Sequence, residues 1–427
     1  MTSFLGTPAT APGPLGPQML RHTPAIVRDA PGFLATMRDT YGDVVQFPIP
    51  RPPTYLVASA AGTQQVLVRR PGGYDKDTIQ YRSLSLVTGD GLLVARNEQW
   101  RDQRPVVQPA FHHRFLPHVA RVTDDATRGL IHRWRRVPDG AVVDVEPAMM
   151  DLTLQVVGEC LFGDDLVGTT AELADATLTA LDVVVRRARL PLPIPQTWPT
   201  PANRRLATAT ASLEAAVQRL MDSRVPDPDS PLLLDLLLTA GWTRREVRDQ
   251  IVTFLVAGHE TAASALTWAL GLLAQSPEQQ SSGAEHARAC ADETLRLYPP
   301  AWVITRSVVR DDTIDGREIP AGALVIVSPY LVQRDPRWWS DPDEFRPSRF
   351  AGALGREQRE AYLPFGAGLR QCIGRDFALW EMTRVLTELS DHFRWEPALP
   401  LPRTNASVTL RPQGGMQVRI RQLSDRR

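Results

Sequence analysis

The chain has 427 residues, 48 basic and 48 acidic side chains, and a hydrophobic content of 43%. Length alone suggests about two or three domains, the apolar content supports a large core, and zero net charge removes any global electrostatic case for nucleic acid. Its three cysteines, Cys160, Cys290 and Cys372, lie far apart without a C-x-x-C, which argues against a disulfide framework or a zinc site and suits a reducing cytoplasm.

Residues 1–20 are rich in proline and glycine, lack a basic or apolar leader pattern, and read as a disordered lead-in to a domain spanning 21–427. Segments 42–49 and 53–59 read as strands, and 60–70 as a short helix ended by Pro71-Gly72-Gly73. Helical periodicity then dominates, with helices expected near 97–108, 115–136, 147–161, 171–189, 203–223, 243–274, 284–297 and 375–392. Five prolines between 191 and 201 form a stiff connector. Residues 251–274 are long and apolar, but His259 and Glu260 near the middle disfavour a membrane span and favour a helix inside a large core. Residues 329–364 read as an irregular anchored stretch, followed by short strands near 408–410 and 416–420; another is expected at 323–327. Lys76 is the one lysine, which reads as coding bias without functional meaning. Cys160 and Cys290 read as small buried thiols, and the eight histidines show no metal-ligand spacing.

The most informative segment is Phe365-Gly366-Ala367-Gly368-Leu369-Arg370-Gln371-Cys372-Ile373-Gly374. A cysteine framed by glycines suits a thiolate held against a flat metal macrocycle, because glycine lets the backbone approach closely and leaves N–H groups to face the sulfur. Arg370 offers a forked cation suited to a carboxylate of the same ligand. The segment resembles the cysteine loop of the cytochrome P-450 family, F-x-x-G-x-R-x-C-x-G, at every specified position: Phe365, Gly368, Arg370, Cys372 and Gly374.

Three further segments resemble that family. Glu293 and Arg296 match its E-x-x-R on one helix face, and Arg349 in Pro347-Ser348-Arg349-Phe350 supplies the third partner. The resemblance makes this set architectural, anchoring the irregular stretch to the core. Trp100 and Arg104 match W-x-x-x-R, whose side chains meet a haem propionate; Arg306 and Arg370 are further propionate partners by the same resemblance. His112 could approach the haem edge, although a partly exposed structural histidine is the simpler reading. Ala257-Gly258-His259-Glu260-Thr261 matches A-G-x-[D/E]-T, with small residues making room above the iron. Thr261 can divert a helical hydrogen bond and open the helix, and Glu260 serves proton relay. The chain departs from many relatives in a short 277–289 segment, in Gln333 where histidine is common, and in Ser348 where glutamate is common.

The resemblance implies a single-domain, mainly α fold with a minor β region around a buried haem, overruling the length-based domain count. It implies haem b ligated by Cys372, with Phe365 and Gly374 in the binding loop, and a monooxygenase that hydroxylates or epoxidises a hydrophobic small molecule. No flavin or iron–sulfur motif is visible, so electrons from NAD(P)H are expected through a ferredoxin and its reductase, docking near Arg101, Arg114 and Arg375. The expected pocket includes Leu84, Leu86, Ala257, Val303, Ile304, Ser407 and Val408, a loop at 83–87 and a proline-rich lid at 192–198, with Arg82 or Arg186 to Arg189 within reach. A terpenoid, polyketide or steroid-like substrate from secondary metabolism fits that lining; a fatty acyl chain, free or carrier-bound, stays open. The alternatives are a haem-thiolate peroxygenase or isomerase needing no redox partner, and a haem-binding sensor, which has no use for Glu260-Thr261.

Overall fold

The structure is a computed structural model that describes residues 9–48, 52–163, 176–177, 179–184, 198–227 and 232–424. Among these residues the long helices are α1 (Gly16–Arg28), α2 (Ala30–Tyr41), α3 (Ile79–Thr88), α4 (Asn97–Val107), α5 (Leu116–Trp134), α6 (Val145–Val157), α7 (Pro201–Ser223), α8 (Arg244–Gln275), α9 (Ala284–Leu297) and α10 (Arg375–His392). The described residues between 176 and 184 are also helical, while the rest of the helix expected at 171–189 and the lid at 192–197 lie outside the described residues.

A five-stranded sheet flanks the helices, in the order β1 (Val44–Phe47), β2 (Thr54–Val57), β8 (Leu324–Val327), β5 (Ile304–Val308) and β3 (Tyr74–Asp75). β2 and β8 run parallel; the other neighbours are antiparallel. Strand alternation sends Val44, Tyr55 and Val57 into one cluster and Val45, Phe47 and Leu56 into another, so both sheet faces are buried. A second, three-stranded sheet is formed by β4 (Val142–Asp144), β12 (Gln417–Gln422) and β9 (Phe393–Pro397). Two hairpins complete the β portion: β6 (Asp312–Ile314) with β7 (Arg317–Ile319), and β10 (Thr404–Ala406) with β11 (Leu410–Pro412).

α8 is the axis of the core. Its start is written in a capping box, with Glu246 N–H donating to Thr243 Oγ1 (3.3 Å) and Thr243 N–H to Glu246 Oε2 (2.8 Å). It packs against α6, α9 and α10 and is buried along most of its length. Among the described residues no helix is long and apolar enough to cross a membrane.

Several sequence expectations need correction. The lead-in ends earlier than residue 20, because α1 begins at Gly16 and buries Met19 against Phe33 and Met37 of α2. Residues 83–87, expected as a loop, belong to α3, whose start is capped by Thr78 Oγ1. α2 went unread because Pro31 and Gly32 disguise its first turn. That turn is compatible with both, since Pro tolerates the helix start and Asp29 accepts from Gly32 N–H at 3.0 Å.

Candidate active site

The cysteine loop is built by two left-handed glycines, Gly366 (φ 66°) and Gly368 (φ 70°). A Cβ on Gly368 would come 2.2 Å from the Leu67 carbonyl oxygen, so only glycine fits there. The chain folds back on itself: Cys372 N–H donates to Phe365 O (3.0 Å) and Gln371 N–H to Gly368 O (3.1 Å). Cys372 thereby sits just ahead of α10, at the positive end of that helix, and forms part of a cavity wall. Burial pushes the thiol up; the Gly374 N–H, Arg104 and Lys76 pull it back down.

The cavity has a volume of about 290 Å³, at the lower end of the about 300–1,000 Å³ of small-molecule pockets. Four cations line it: Lys76, Arg104, Arg306 and Arg370. Arg370 donates to Ala95 O (2.7 Å) and Asn97 Oδ1 (2.8 Å), lies over the Trp100 ring at 4.8 Å, and reaches Asp75 only at 3.8 Å. Arg104 donates to Gln371 O (3.2 Å), Arg306 to Thr305 O (2.8 Å), and Lys76 Nζ to Leu93 O (2.7 Å). Burial, and next the neighbouring Arg306, lower Arg370 to about 10; the same causes, with Arg370 added, push Lys76 well down. Partly buried cations in such excess are costly without anions, and a ligand bearing two carboxylates would relieve them.

On the opposite wall α8 presents Ala257, Gly258 and Thr261. A Cβ on Gly258 would stand 2.9 Å from Val157 Cγ2, so this glycine serves the close approach of α8 to α6 as well as room above the cysteine. Thr261 Oγ1 donates to Ala257 O at 2.6 Å, yet α8 stays continuously helical, so the expected opening of the helix is not seen. Glu260 is buried but stands outside the cavity lining. Its Oε1 accepts from Thr409 Oγ1 (2.6 Å), while Oε2 has no partner among the described residues. Burial raises its pKa, opposed by Thr409 and Arg411, while Glu146 adds to the rise. His259 is lowered to about 4 by burial and by Arg411, hence neutral.

Behind the site, Glu293 and Arg296 are both 0% exposed. Arg296 grips Glu293 twice (2.7 and 2.9 Å) and donates to the carbonyls of Gln333, Pro342 and Glu344 (2.9, 2.7 and 3.1 Å); Arg349 Nε adds a bond to Glu293 at 3.2 Å. Gln333 donates to the carbonyls of Leu295 and Arg296 at the end of α9 and accepts from Leu363 N–H. The irregular 329–364 stretch is thus fastened to α9 through buried polar groups.

This constellation meets its match in a family model described as Cytochrome P450, which covers residues 18–286 and 285–419. The chain belongs to the cytochrome P-450 family. The two matched segments meet at residues 285–286, in the first turn of α9. Cyclooctat-9-en-7-ol 5-monooxygenase of Streptomyces melanosporofaciens is 33% identical, with 92% of this chain and 90% of that protein covered. Cyclooctatin synthase of the same organism is 32% identical over 94% of each chain. Among solved structures, CYP175A1 of Thermus thermophilus superposes with a TM-score of 0.84 at 33% identity, covering 96% of this chain and all of that one.

The protein is therefore a P-450 monooxygenase with haem b as its cofactor, and the residues present fit that group: a cysteine on the wall of a cavity, glycines where a Cβ would intrude, and unbalanced cations for two propionates. Phe365, Gly374, Trp100, Arg104, Arg306, Arg370, Cys372, Ala257, Thr261 and Ile304 all line one cavity. Leu84, Leu86, Val303, Ser407 and Val408 do not. Leu84 turns into the core beneath α3 and Leu86 toward solvent; Val303 packs against the cluster behind β1 and β2. Arg82 pairs with Asp77 (2.6 Å) on the surface, and His112 is exposed, its ring accepting from Arg114 N–H (3.3 Å). Lys76 is the main omission. Its being the single lysine was visible, but only the fold brings it beside Arg306 and Arg370. Glu381 is the other: it lines the cavity from α10, and burial alone raises its carboxyl well above the ordinary range.

Proposed function

We propose that this P-450 hydroxylates or epoxidises a terpenoid skeleton in the cytoplasm, drawing electrons from a ferredoxin and its reductase. The observation that carries the reading is the asymmetry of the cavity: cations gather on one rim, whereas the wall formed by Leu92, Phe111, Val157, Leu161 and Phe254 is apolar. Phe111 and Phe254 stack at 5.3 Å, giving that wall a broad hydrocarbon surface. Such a lining favours a large apolar substrate over a free acid or a phosphate ester. The relatives named for cyclooctatenol and cyclooctatin support a terpenoid.

Bound haem supplies the activation of dioxygen. The protein's part is to hold and to exclude. Cys372 would ligate the haem iron as a thiolate, and Trp100, Arg104, Arg306, Arg370 and Lys76 would hold the propionates. Thr261 Oγ1 keeps its proton on Ala257 O in the resting arrangement. Glu260, neutral over an extended pH range because it is buried, stores a proton next to Thr261 in the chain. The apolar wall keeps bulk water away from the reacting carbon.

The test is turnover of a terpene panel with ferredoxin, reductase, NADPH and isotope-labelled dioxygen. One labelled oxygen per product supports the reading; turnover with peroxide but none with the electron-transfer proteins would replace it by a peroxygenase. Arg101, Arg114 and Arg375 are exposed near the cysteine loop and fit an acidic ferredoxin. Arg375→Glu then slows reduction and leaves substrate affinity unchanged; equal loss of both would reject this docking face.

A further inference from the structure

α8 carries three threonines, and two of them satisfy their own hydroxyls. Thr261 Oγ1 donates to Ala257 O (2.6 Å) and Thr267 Oγ1 to Ala263 O (2.7 Å), the usual i−4 bond of a helical threonine. Thr253 does not. It is 2% exposed and among the residues that line the cavity, and its Oγ1, buried in the observed rotamer, has no hydrogen-bond partner among the described residues. A buried hydroxyl left without a partner costs about 1–3 kcal/mol, so something must offset it.

The surroundings narrow what that is. The loop opposite is pinned onto α8: Asp90 N–H donates to Asp249 Oδ2 (3.0 Å), Leu92 N–H to Gln250 Oε1 (3.1 Å), and Arg248 to Val87 O (3.1 Å). Gly91 closes over Thr253 so tightly that a Cβ there would fall 2.1 Å from Oγ1. The hydroxyl lies against this glycine, which offers it no bond. The two χ1 wells open to a helical threonine let Oγ1 exchange that position for another without disturbing the helix. Away from the cationic rim and the cysteine loop, the described lining is hydrocarbon except for Thr253, Thr261 and Glu381, and Thr261 is already bonded. Thr253 stands one helical turn, about 6 Å along the axis, before Ala257.

We propose that Thr253 Oγ1 is the hydrogen-bonding anchor for a single hydroxyl or carbonyl oxygen on an otherwise hydrocarbon substrate. This rests on the terpenoid reading above and sharpens it: the substrate is an already oxygenated skeleton, its oxygen held at Thr253 and a more distant carbon presented beside Ala257 and Thr261. A reaction that installs that first oxygen, such as water capture during terpene cyclisation, must precede this enzyme.

The experiment compares wild-type holoenzyme with Thr253→Val, which keeps the shape without the hydroxyl, and Thr253→Ser, which restores it. Spin-state titrations use matched pairs: cedrol with cedrane, and ferruginol with abietatriene. The expected result is a preference of about 5- to 10-fold for each alcohol over its hydrocarbon in wild type, as one neutral hydrogen bond gives. Thr253→Val loses that preference with hydrocarbon affinity unchanged, and Thr253→Ser recovers it. Equal affinity for alcohol and hydrocarbon in wild type, or an undiminished preference in Thr253→Val, overturns the anchor and leaves the terpenoid reading standing. If neither member of either pair shifts the spin state of a haem-loaded, thiolate-ligated protein, the terpenoid reading itself fails and the anchor with it.

Discussion

Thr409 Oγ1, in the turn of the β10–β11 hairpin, donates a 2.6 Å hydrogen bond to Glu260 Oε1 on α8, a carboxyl that stands outside the cavity lining. On the same side Arg411 pairs with Glu146 of α6 at 2.6 Å. The proton store next to Thr261 is therefore governed by a hairpin turn that the A-G-x-[D/E]-T motif does not contain.

The Thr409 bond lowers the Glu260 pKa against the larger upward effect of burial, with Arg411 also lowering it and Glu146 raising it. A carboxyl whose folded pKa is raised lends stability that is fully present below its unfolded value and lost as pH rises through the folded value. Thr409→Val removes a lowering influence, so Glu260 stays neutral to higher pH and more stability is lost above that point. Glu260→Gln removes the dependence. Thermal midpoints of the holoenzyme, measured from about pH 5 to about pH 9, are expected to fall more across the range in Thr409→Val and less in Glu260→Gln than in wild type. A Thr409→Val profile parallel to wild type would show that Thr409 does not set this titration.

Glu293→Ala leaves Arg296 buried without its carboxylate and Arg349 without its inner partner. Breaking a buried pair in this way costs about 3–5 kcal/mol. Because the 329–364 stretch hangs on Arg296 through three carbonyls, the expected outcome is a low haem-to-protein ratio on purification together with early unfolding in denaturant. Glu293→Ala that loads haem normally and unfolds with wild type would contradict an anchoring role.

Lys76→Met tests the fourth cation. Lys76 shares the rim with Arg306 and Arg370 and is lowered by burial and then by their proximity, so its charge is worth keeping only if an anion lies among them. A charge-assisted bond contributes about 1.5–3 kcal/mol, or roughly 10- to 150-fold in an equilibrium. Haem transfer from the variant to apomyoglobin is expected to be faster by up to that factor, with the thiolate absorption band unaltered. A transfer rate equal to wild type would place the propionates elsewhere.

What was legible in the sequence follows the range of the interactions concerned. α9 and α10 are legible to the residue because periodicity and flanking turns are local. The cysteine loop was readable because positive-φ glycines are local too. Lys76, Thr253 and Thr409 acquire meaning only from partners far along the chain: Arg306 and Arg370, Gly91, and Glu260. The expected pocket residues at 84, 86, 303, 407 and 408 stand outside the described cavity lining, and for the first two the helix supplies a reason. α3 is a helix, so its neighbouring side chains diverge by about 100° per residue, and Leu84 and Leu86 cannot share a cavity face as residues of an extended loop could.

Gly258 separates two roles that the motif merges. If it serves only to leave room above the cysteine, Gly258→Ala should reduce substrate binding and spare stability. The contact with Val157 argues otherwise, since a new Cβ would lie 2.9 Å from Cγ2 and α8 or α6 must shift. Overpacking of this kind costs about 1–3 kcal/mol. Val157→Ala removes the obstructing methyl groups, so the double variant Gly258→Ala/Val157→Ala should recover part of what Gly258→Ala loses in denaturant unfolding. Both residues line the cavity, and substrate titrations read alongside unfolding will separate packing from access. Strictly additive losses in the double variant would mean that the helices do not meet at this pair, whereas a favourable coupling fixes Gly258 as the point where α8 bears on α6.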